Sequence, residues 1–230
     1  MNYLRNIVFP LILAAGLLAL GLCIRSGFST IASKERYVDV RGLAERTVKA
    51  NQVTWPVSYT ITGDDLPALY QECTNKNKIV LDFLTSNGIP TSEISVNPPS
   101  VDDVSANAWN NTARFKYSIT STMTVLTKHV DKVRELLNRQ GELLNQGIAF
   151  ANLNINYSYT DLNKIKPEMI VEATKNAREA AAQFAKDSES KLGKIKTATQ
   201  GYFSIDDADP STPYIKNIRV VTNVTYYLED

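Results

Sequence analysis

An uncharged apolar run near the start of the sequence sets the strongest limit on how this chain can fold. The run extends from Ile7 to Ile24, between Arg5 and Arg25. As an α-helix rising 1.5 Å per residue, it would span roughly 27 Å, close to the bilayer's hydrocarbon thickness of about 30 Å. We therefore predict a membrane anchor within residues 1–25, followed by a polar tether, residues 26–34.

A cleaved secretory signal is the alternative interpretation of the same run. Such signals have an apolar stretch of about 7 to 15 residues, followed by a small-x-small cleavage site. Thr30-Ile31-Ala32 fits that site, but the run is longer than usual and Arg25 separates it from the site. We favour an uncleaved anchor. Both interpretations export the remainder of the chain.

Charge and cysteine content narrow the classes of function. The 25 Lys and Arg residues against 24 Asp and Glu give a net charge of +1, and no basic stripe is interleaved with aromatic residues. Nucleic-acid binding is therefore not expected. Cys23 lies in the apolar run and Cys73 is alone in the remainder, so no disulfide within the exported domain is expected.

Two segments alternate apolar and polar side chains with the period of a β-strand. One is Gln52–Thr62 and the other runs from Phe115 to Val125, so we predict that each is a half-buried strand. Pro56 cannot donate to a ladder and indicates an edge or a bulge. Further strands are predicted at 93–101, with a break at Pro98-Pro99, at 151–159, at 194–205 and at 214–228.

Helical periodicity separates these strands. One helix is expected from Asp64-Asp65 to Asn87-Gly88, with an apolar face of Leu66, Leu69, Tyr70, Cys73, Val80, Phe83 and Leu84. Cys73 is then a small buried side chain. A second helix carries Val130, Val133 and Leu137. The longest is expected to open at Lys166-Pro167 and to end at Gly193, with a face of Ile170, Ala173, Ala177, Ala181, Phe184 and Leu192.

These elements together predict the fold class. The expected domain, residues 35–230, is α+β, with an antiparallel or mixed sheet and helices packed on one face, preceded by one N-terminal transmembrane helix.

Several phrases of this domain resemble the SIMPL family of bacterial envelope proteins. They are VDVRGLAERTVKANQVTWPVSYTI, with Gly42, Ala44 and Glu45 near its start, SNGIPTSEISV from Ser86, SITSTMTVLTKHVDKVRELL from Ser118, and the closing KLGKI. The resemblance covers about Tyr37 to Asp230. It implies an exported domain, self-assembly into oligomers and an association with oxidative stress. The family brings no established active site, so no functional residue is transferred from it.

Residues with catalytic chemistry are few. His129, the single histidine, leads into an amphipathic helix, where a solvent-facing or capping role is expected. Asp206, Asp207 and Asp209 cluster in one loop, but that loop lacks the glycine and terminal glutamate of a calcium loop. The sequence contains no GxSxG nucleophile elbow, no HExxH zinc-binding helix and no glycine-rich phosphate-binding loop. We predict no catalytic residue, no cofactor, no metal site and no enzymatic activity.

Trp109 is the one candidate interaction residue. It is a large aromatic residue among Ser, Ala and Asn, and it predicts contact with a partner or a neighbouring subunit. Strands with long Ser and Thr faces can pair edge to edge, so we expect a homo-oligomer.

The leading hypothesis is a non-enzymatic, single-pass protein of the bacterial inner membrane, with its domain in the periplasm. It would act through self-assembly or contact with unknown envelope partners, with a link to oxidative or envelope stress implied by the resemblance. A periplasmic module that binds a ligand or an unfolded protein is the alternative, followed by a cryptic hydrolase. Signal cleavage would make the protein soluble in the periplasm.

Overall fold

The computed structural model describes residues 36–106, 114–150 and 154–229, together with Gly16, Leu20 and Gly21. Apart from those three residues, the predicted anchor lies outside the described residues, and so does Trp109. Within the described residues, no helix is long and apolar enough to cross a bilayer.

Strands and helices follow in the order β1 (Tyr37–Lys49), β2 (Gln52–Gly63), α1 (Leu66–Ser86), β3 (Ile94–Val96), β4 (Ser100–Asp103), β5 (Tyr117–Thr127), α2 (Val130–Asn138), α3 (Gly141–Leu144), β6 (Asn156–Ser158), α4 (Leu162–Asp187), β7 (Lys191–Asp207) and β8 (Ile215–Glu229). One sheet has the order β1-β8-β7, and the other has the order β3-β5-β2-β6, with β4 also paired to β5. The α+β class is confirmed, with two antiparallel sheets in place of the single sheet expected.

The backbone divides into two compact units. The first is drawn from the described residues within Met1–Leu43, Ala173–Gly201 and Thr222–Asp230, and the second from those within Ala44–Glu172 and Tyr202–Val221.

In the second unit, β2 and β5 form the longest antiparallel pair, from Val53 opposite Thr127 to Gly63 opposite Tyr117. The predicted alternation is confirmed, since the apolar side chains from Val53 to Tyr59 are buried on one face. Helices α1 and α2 supply the other side of this core through Val80, Phe83, Leu84, Val133 and Leu136. Burying these side chains drives the packing of both helices on the sheet.

Helix α1 begins and ends where its boundary residues predict. Asp65 caps it by accepting a hydrogen bond from the Ala68 amide at 3.3 Å. Gly88 follows it with a φ of 88°, the left-handed conformation that glycine adopts without strain. The prediction for Tyr70 was wrong: its side chain is 57% exposed, because the buried stripe follows Leu69 and Cys73 instead.

Helix α4 differs from its prediction at both ends. It begins at Leu162, where Lys164 N–H donates to the Asp161 carbonyl at 3.0 Å, so Pro167 lies inside the helix. It ends at Asp187, because Glu189 adopts a φ of 55° and Ser190 N–H bonds back to the Ala185 carbonyl at 2.8 Å. Leu192 and Gly193 consequently belong to β7.

The buried face of α4 also differs. Its fully buried residues recur every four positions and are Met169, Ala173, Ala177, Ala181 and Ala185. The prediction for Phe184 was wrong, since its side chain is 58% exposed, whereas Ile170 is half-buried. In the first unit, Ala177 and Ala181 pack on Val40, Val224 and Tyr226 of the three-stranded sheet.

Small side chains let β1 and α4 approach closely in this unit. A Cβ atom at Gly42 would lie 1.8 Å from the Ala173 carbonyl oxygen and 2.6 Å from the Ala177 nitrogen. Beside it, the Asn176 amide donates to the Leu43 carbonyl at 2.7 Å. Close packing of β1 against α4 therefore requires a glycine at position 42.

Candidate functional site

In the part of the chain that the structure describes, strand β7 is an open edge of the three-stranded sheet. It has seventeen residues, and none of them is buried. Its neighbour β8 buries every second residue from Lys216 to Tyr226. An edge strand presents a row of backbone N–H and C=O groups that can pair with another strand. At about 3.4 Å per residue, this edge is roughly 55 Å long.

The side chains of β7 are distributed unevenly along it. Lys191, Lys194 and Lys196 lie near its start, and Asp206 and Asp207 lie at its end. Of its large apolar side chains, Ile195 is 50% exposed, Tyr202 99% and Ile205 38%, whereas Leu192 and Phe203 are half-buried. The edge therefore combines two oppositely charged ends with a small and polar centre, Thr197 to Gly201, and its exposed apolar side chains lie on either side of that centre.

The far end of β7 is held by the turn that joins it to β8. Ala208 N–H donates to the Ile215 carbonyl at 2.9 Å. Next to it, the ammonium group of Lys216, a residue only 8% exposed, pairs with the Asp207 carboxylate. Lys166 lies over the Phe203 ring at 5.6 Å. These contacts fix where the aspartate end of β7 lies.

The three aspartates predicted in one loop are divided, because Asp206 and Asp207 end β7 and only Asp209 lies in the turn. Asp209 accepts hydrogen bonds from the Ser211 amide and hydroxyl, and these bonds lower the pKa of its carboxyl. Among the residues described, no group of three or more His, Cys, Asp or Glu side chains is placed to hold a metal ion.

A shallow depression of about 320 Å³ lies on the three-stranded sheet within the first unit. Its polar lining residues are Asp39, Arg41, Thr197, Thr199, Asn223 and Thr225. Asp39 accepts a hydrogen bond from the Thr225 hydroxyl across β1 and β8. Thr197 and Thr199, which form one side of the depression, belong to β7, so the depression borders the open edge.

A second pocket, of about 230 Å³, lies in the second unit. The Arg134 guanidinium stacks 3.5 Å from the centre of the Tyr214 ring, and Tyr157 meets that ring edge-on at 6.2 Å between centroids. Arg134 also pairs with Asp131 at 3.4 Å. The guanidinium therefore already has both an aromatic and an acidic partner.

The nucleophilic thiol of the domain is part of a buried polar cluster. Cys73 is 1% exposed, as predicted, and packs against Leu69 and Ile119. The Tyr59 hydroxyl donates to the Cys73 carbonyl at 2.9 Å and lies 2.8 Å from Asn77 Oδ1, which also accepts from Ser121 at 2.8 Å. Burial and the neighbouring Cys73 raise the pKa of Tyr59 well above its usual value.

Replacing Tyr59 with phenylalanine tests this cluster. We expect a loss of about 1–2 kcal/mol of stability at neutral pH, because Asn77 and the Cys73 carbonyl each lose a partner. The raised pKa means that the unfolded state releases the tyrosine proton first, so wild-type stability falls above about pH 10. Denaturant unfolding as a function of pH should show a shallower alkaline decline in Tyr59→Phe.

Tyr70→Phe is the matched control for that experiment, since Tyr70 is 57% exposed and lies on α1. Its alkaline decline should equal that of wild type. Equal declines in all three proteins would mean that the Tyr59 hydroxyl ionises as it does in water.

His129 and Trp109 are the two other residues that were considered from the sequence. His129 is exposed and precedes α2, and its side chain makes no capping hydrogen bond. Trp109 lies outside the described residues, so its predicted contact stays a prediction. The edge position of β7 was missed from sequence, although lysines and a lack of regular apolar alternation are signals of an edge strand.

One comparison with known proteins places the chain in a family. A model of the SIMPL family, described as protein of unknown function (DUF541), matches residues 38–226. A search of curated proteins found no match. The family match runs from β1 into β8 and includes the phrases on which the resemblance rested. The chain belongs to the SIMPL family.

Proposed function

We propose that this protein is a non-enzymatic component of the bacterial envelope that acts through self-assembly. The single observation that carries the proposal is the open β7 edge, seventeen residues long with no buried residue and with Tyr202 almost fully exposed. Long open edges are normally shortened, covered or interrupted, because they promote pairing between chains. A second chain would cover this one.

The location follows from the apolar run Ile7–Ile24. An uncleaved run would hold the protein in the inner membrane as a single-pass anchor, with the domain in the periplasm. Anchored chains share one plane, which raises their effective concentration for edge pairing. Resistance to carbonate extraction from membranes would support the anchor, and release into the periplasmic fraction would support a cleaved signal.

The non-enzymatic part of the proposal rests on how reactive side chains are used. The Cys73 thiol is packed in the core, Asp207 pairs with Lys216, and Asp209 holds its own turn. Each of these groups has a structural task. Family membership extends the proposal to a role in oxidative or envelope stress.

The mass of the full chain in mild detergent, measured by sedimentation, tests assembly. We expect a discrete oligomer for wild type. Tyr202→Ser should weaken it, because losing a tyrosine from an interface costs about 2 kcal/mol, which is roughly a 30-fold rise in dissociation constant. Tyr70→Ser is the matched control, since Tyr70 is also exposed but lies on α1. A monomer at every concentration would contradict the proposal.

A further inference from the structure

The charge distribution along β7 contains information about how two edges would meet. Its first six residues include Lys191, Lys194 and Lys196, whereas Asp206 and Asp207 occupy its last two positions. If two β7 strands paired in parallel and in register, lysines would face lysines and aspartates would face aspartates. Like charges directly opposite one another destabilise a strand pair. Parallel pairing is therefore disfavoured.

Antiparallel pairing reverses this pattern. Thr199 is the middle residue of β7. A two-fold axis through Thr199 would put Lys191 of one copy opposite Asp207 of the other, and Lys194 diagonal to Asp206. The same register would put Ile195 opposite Phe203. Opposite charges and apolar side chains that face each other both stabilise an antiparallel pair.

We propose that two copies of this chain pair through β7, antiparallel and centred on Thr199, to make one six-stranded sheet across a two-fold axis. This inference rests on the proposed self-assembly and adds its partner, direction and register. The interface is isologous, so each copy uses the same β7 edge to pair with the other. Because both edges are then occupied, the assembly stops at a dimer. Larger assemblies then need a second surface.

Lys196 and Asp207 each have partners within their own chain. Lys196 lies 4.8 Å from the Tyr37 ring centre and 5.2 Å from that of Tyr227, within the same chain. Asp207 keeps its pairing with Lys216. The second copy adds opposite charge beside each end without requiring that these contacts break.

Thiol cross-linking of the full chain tests the register. The experiment uses a Cys23→Ser background, in which the remaining native thiol, Cys73, is 1% exposed and should not react with the cross-linker. Thr199→Cys should cross-link to itself with a short bis-maleimide. Ser204→Cys is the control, because its two copies would be ten residues apart along the pair, about 34 Å at 3.4 Å per residue. We expect at least a tenfold lower yield for it. Mixing it with Lys194→Cys should restore the yield, since positions 194 and 204 face each other.

The outcomes separate this inference from the proposed function. Equal self-linking of Thr199→Cys and Ser204→Cys would indicate parallel pairing and overturn the register. No cross-link from any variant that still sediments as an oligomer would place assembly on another surface, and would overturn the inference while the proposed function stands. Variants and wild type that all sediment as monomers would overturn both.

Discussion

Replacing Gly42 with alanine is expected to lower the free energy of unfolding by about 3 kcal/mol. The added Cβ would lie 1.8 Å from the Ala173 carbonyl oxygen and 2.6 Å from the Ala177 nitrogen. Both are backbone atoms of α4, so no side-chain rotation can relieve the clash. The helix must move away from β1, and Ala177 and Ala181 would then lose their packing on the sheet.

Denaturant unfolding of the purified chain would measure this effect. Gly141→Ala is the matched control, since a Cβ there meets no atom within 4 Å and the residue opens α3. It should be neutral or slightly stabilising. Adding Ala177→Gly should not rescue Gly42→Ala, because the clash is with backbone. Similar midpoints for Gly42→Ala and wild type would show that β1 and α4 lie farther apart.

Removing the carboxylate of Asp207 should lower the free energy of unfolding by the second largest amount. Asp207→Asn leaves the Lys216 ammonium, on a side chain only 10% exposed, without its anion. Breaking a buried pair in this way costs about 3–5 kcal/mol, and we expect about 2–3 kcal/mol because the Asp207 side chain is 44% exposed. Lys216→Met should cost less, since it removes the buried charge and keeps an unbranched apolar stem.

The double variant Asp207→Asn with Lys216→Met completes a thermodynamic cycle. Its stability should lie close to that of Lys216→Met alone, which would place the penalty in the unpaired ammonium. Unfolding at two protein concentrations separates this effect from loss of assembly. Equal, small losses in both single variants would instead indicate an ordinary surface ion pair.

Much of the second unit could be predicted from sequence alone. The alternation from Val53 to Tyr59 and the paired boundary residues Asp65 and Gly88 placed β2 and α1 to within a residue or two. These signals are local: a period of two for a half-buried strand, a carboxylate cap and a left-handed glycine. They are strong because sheet burial and helix capping depend on neighbours in sequence.

The errors came from features that sequence neighbours do not decide. Gly193 was read as the end of α4, but the helix stops at Asp187 with a non-glycine residue, Glu189, in the left-handed conformation. The division into two sheets was not predicted either. Alternating side chains identify a strand, but they do not indicate which other strand pairs with it. The edge character of β7 depends on that same pairing order.

The candidate site was only partly predicted for a related reason. Assembly through strand edges was expected, but neither the strand nor its direction could be chosen before β7 was known to lie outside β8. Trp109, the residue singled out from sequence, is outside the described residues.

The order of strands in the first sheet also sets a constraint on how the protein folds. β1 lies beside β8, and their contact between Asp39 and Thr225 joins residues 186 positions apart. Closing so large a loop is slow compared with forming the nearby pairing of β2 with β5. Until β8 is in place, β1 lacks this neighbour, and its backbone groups are then exposed to pairing with strands of other chains.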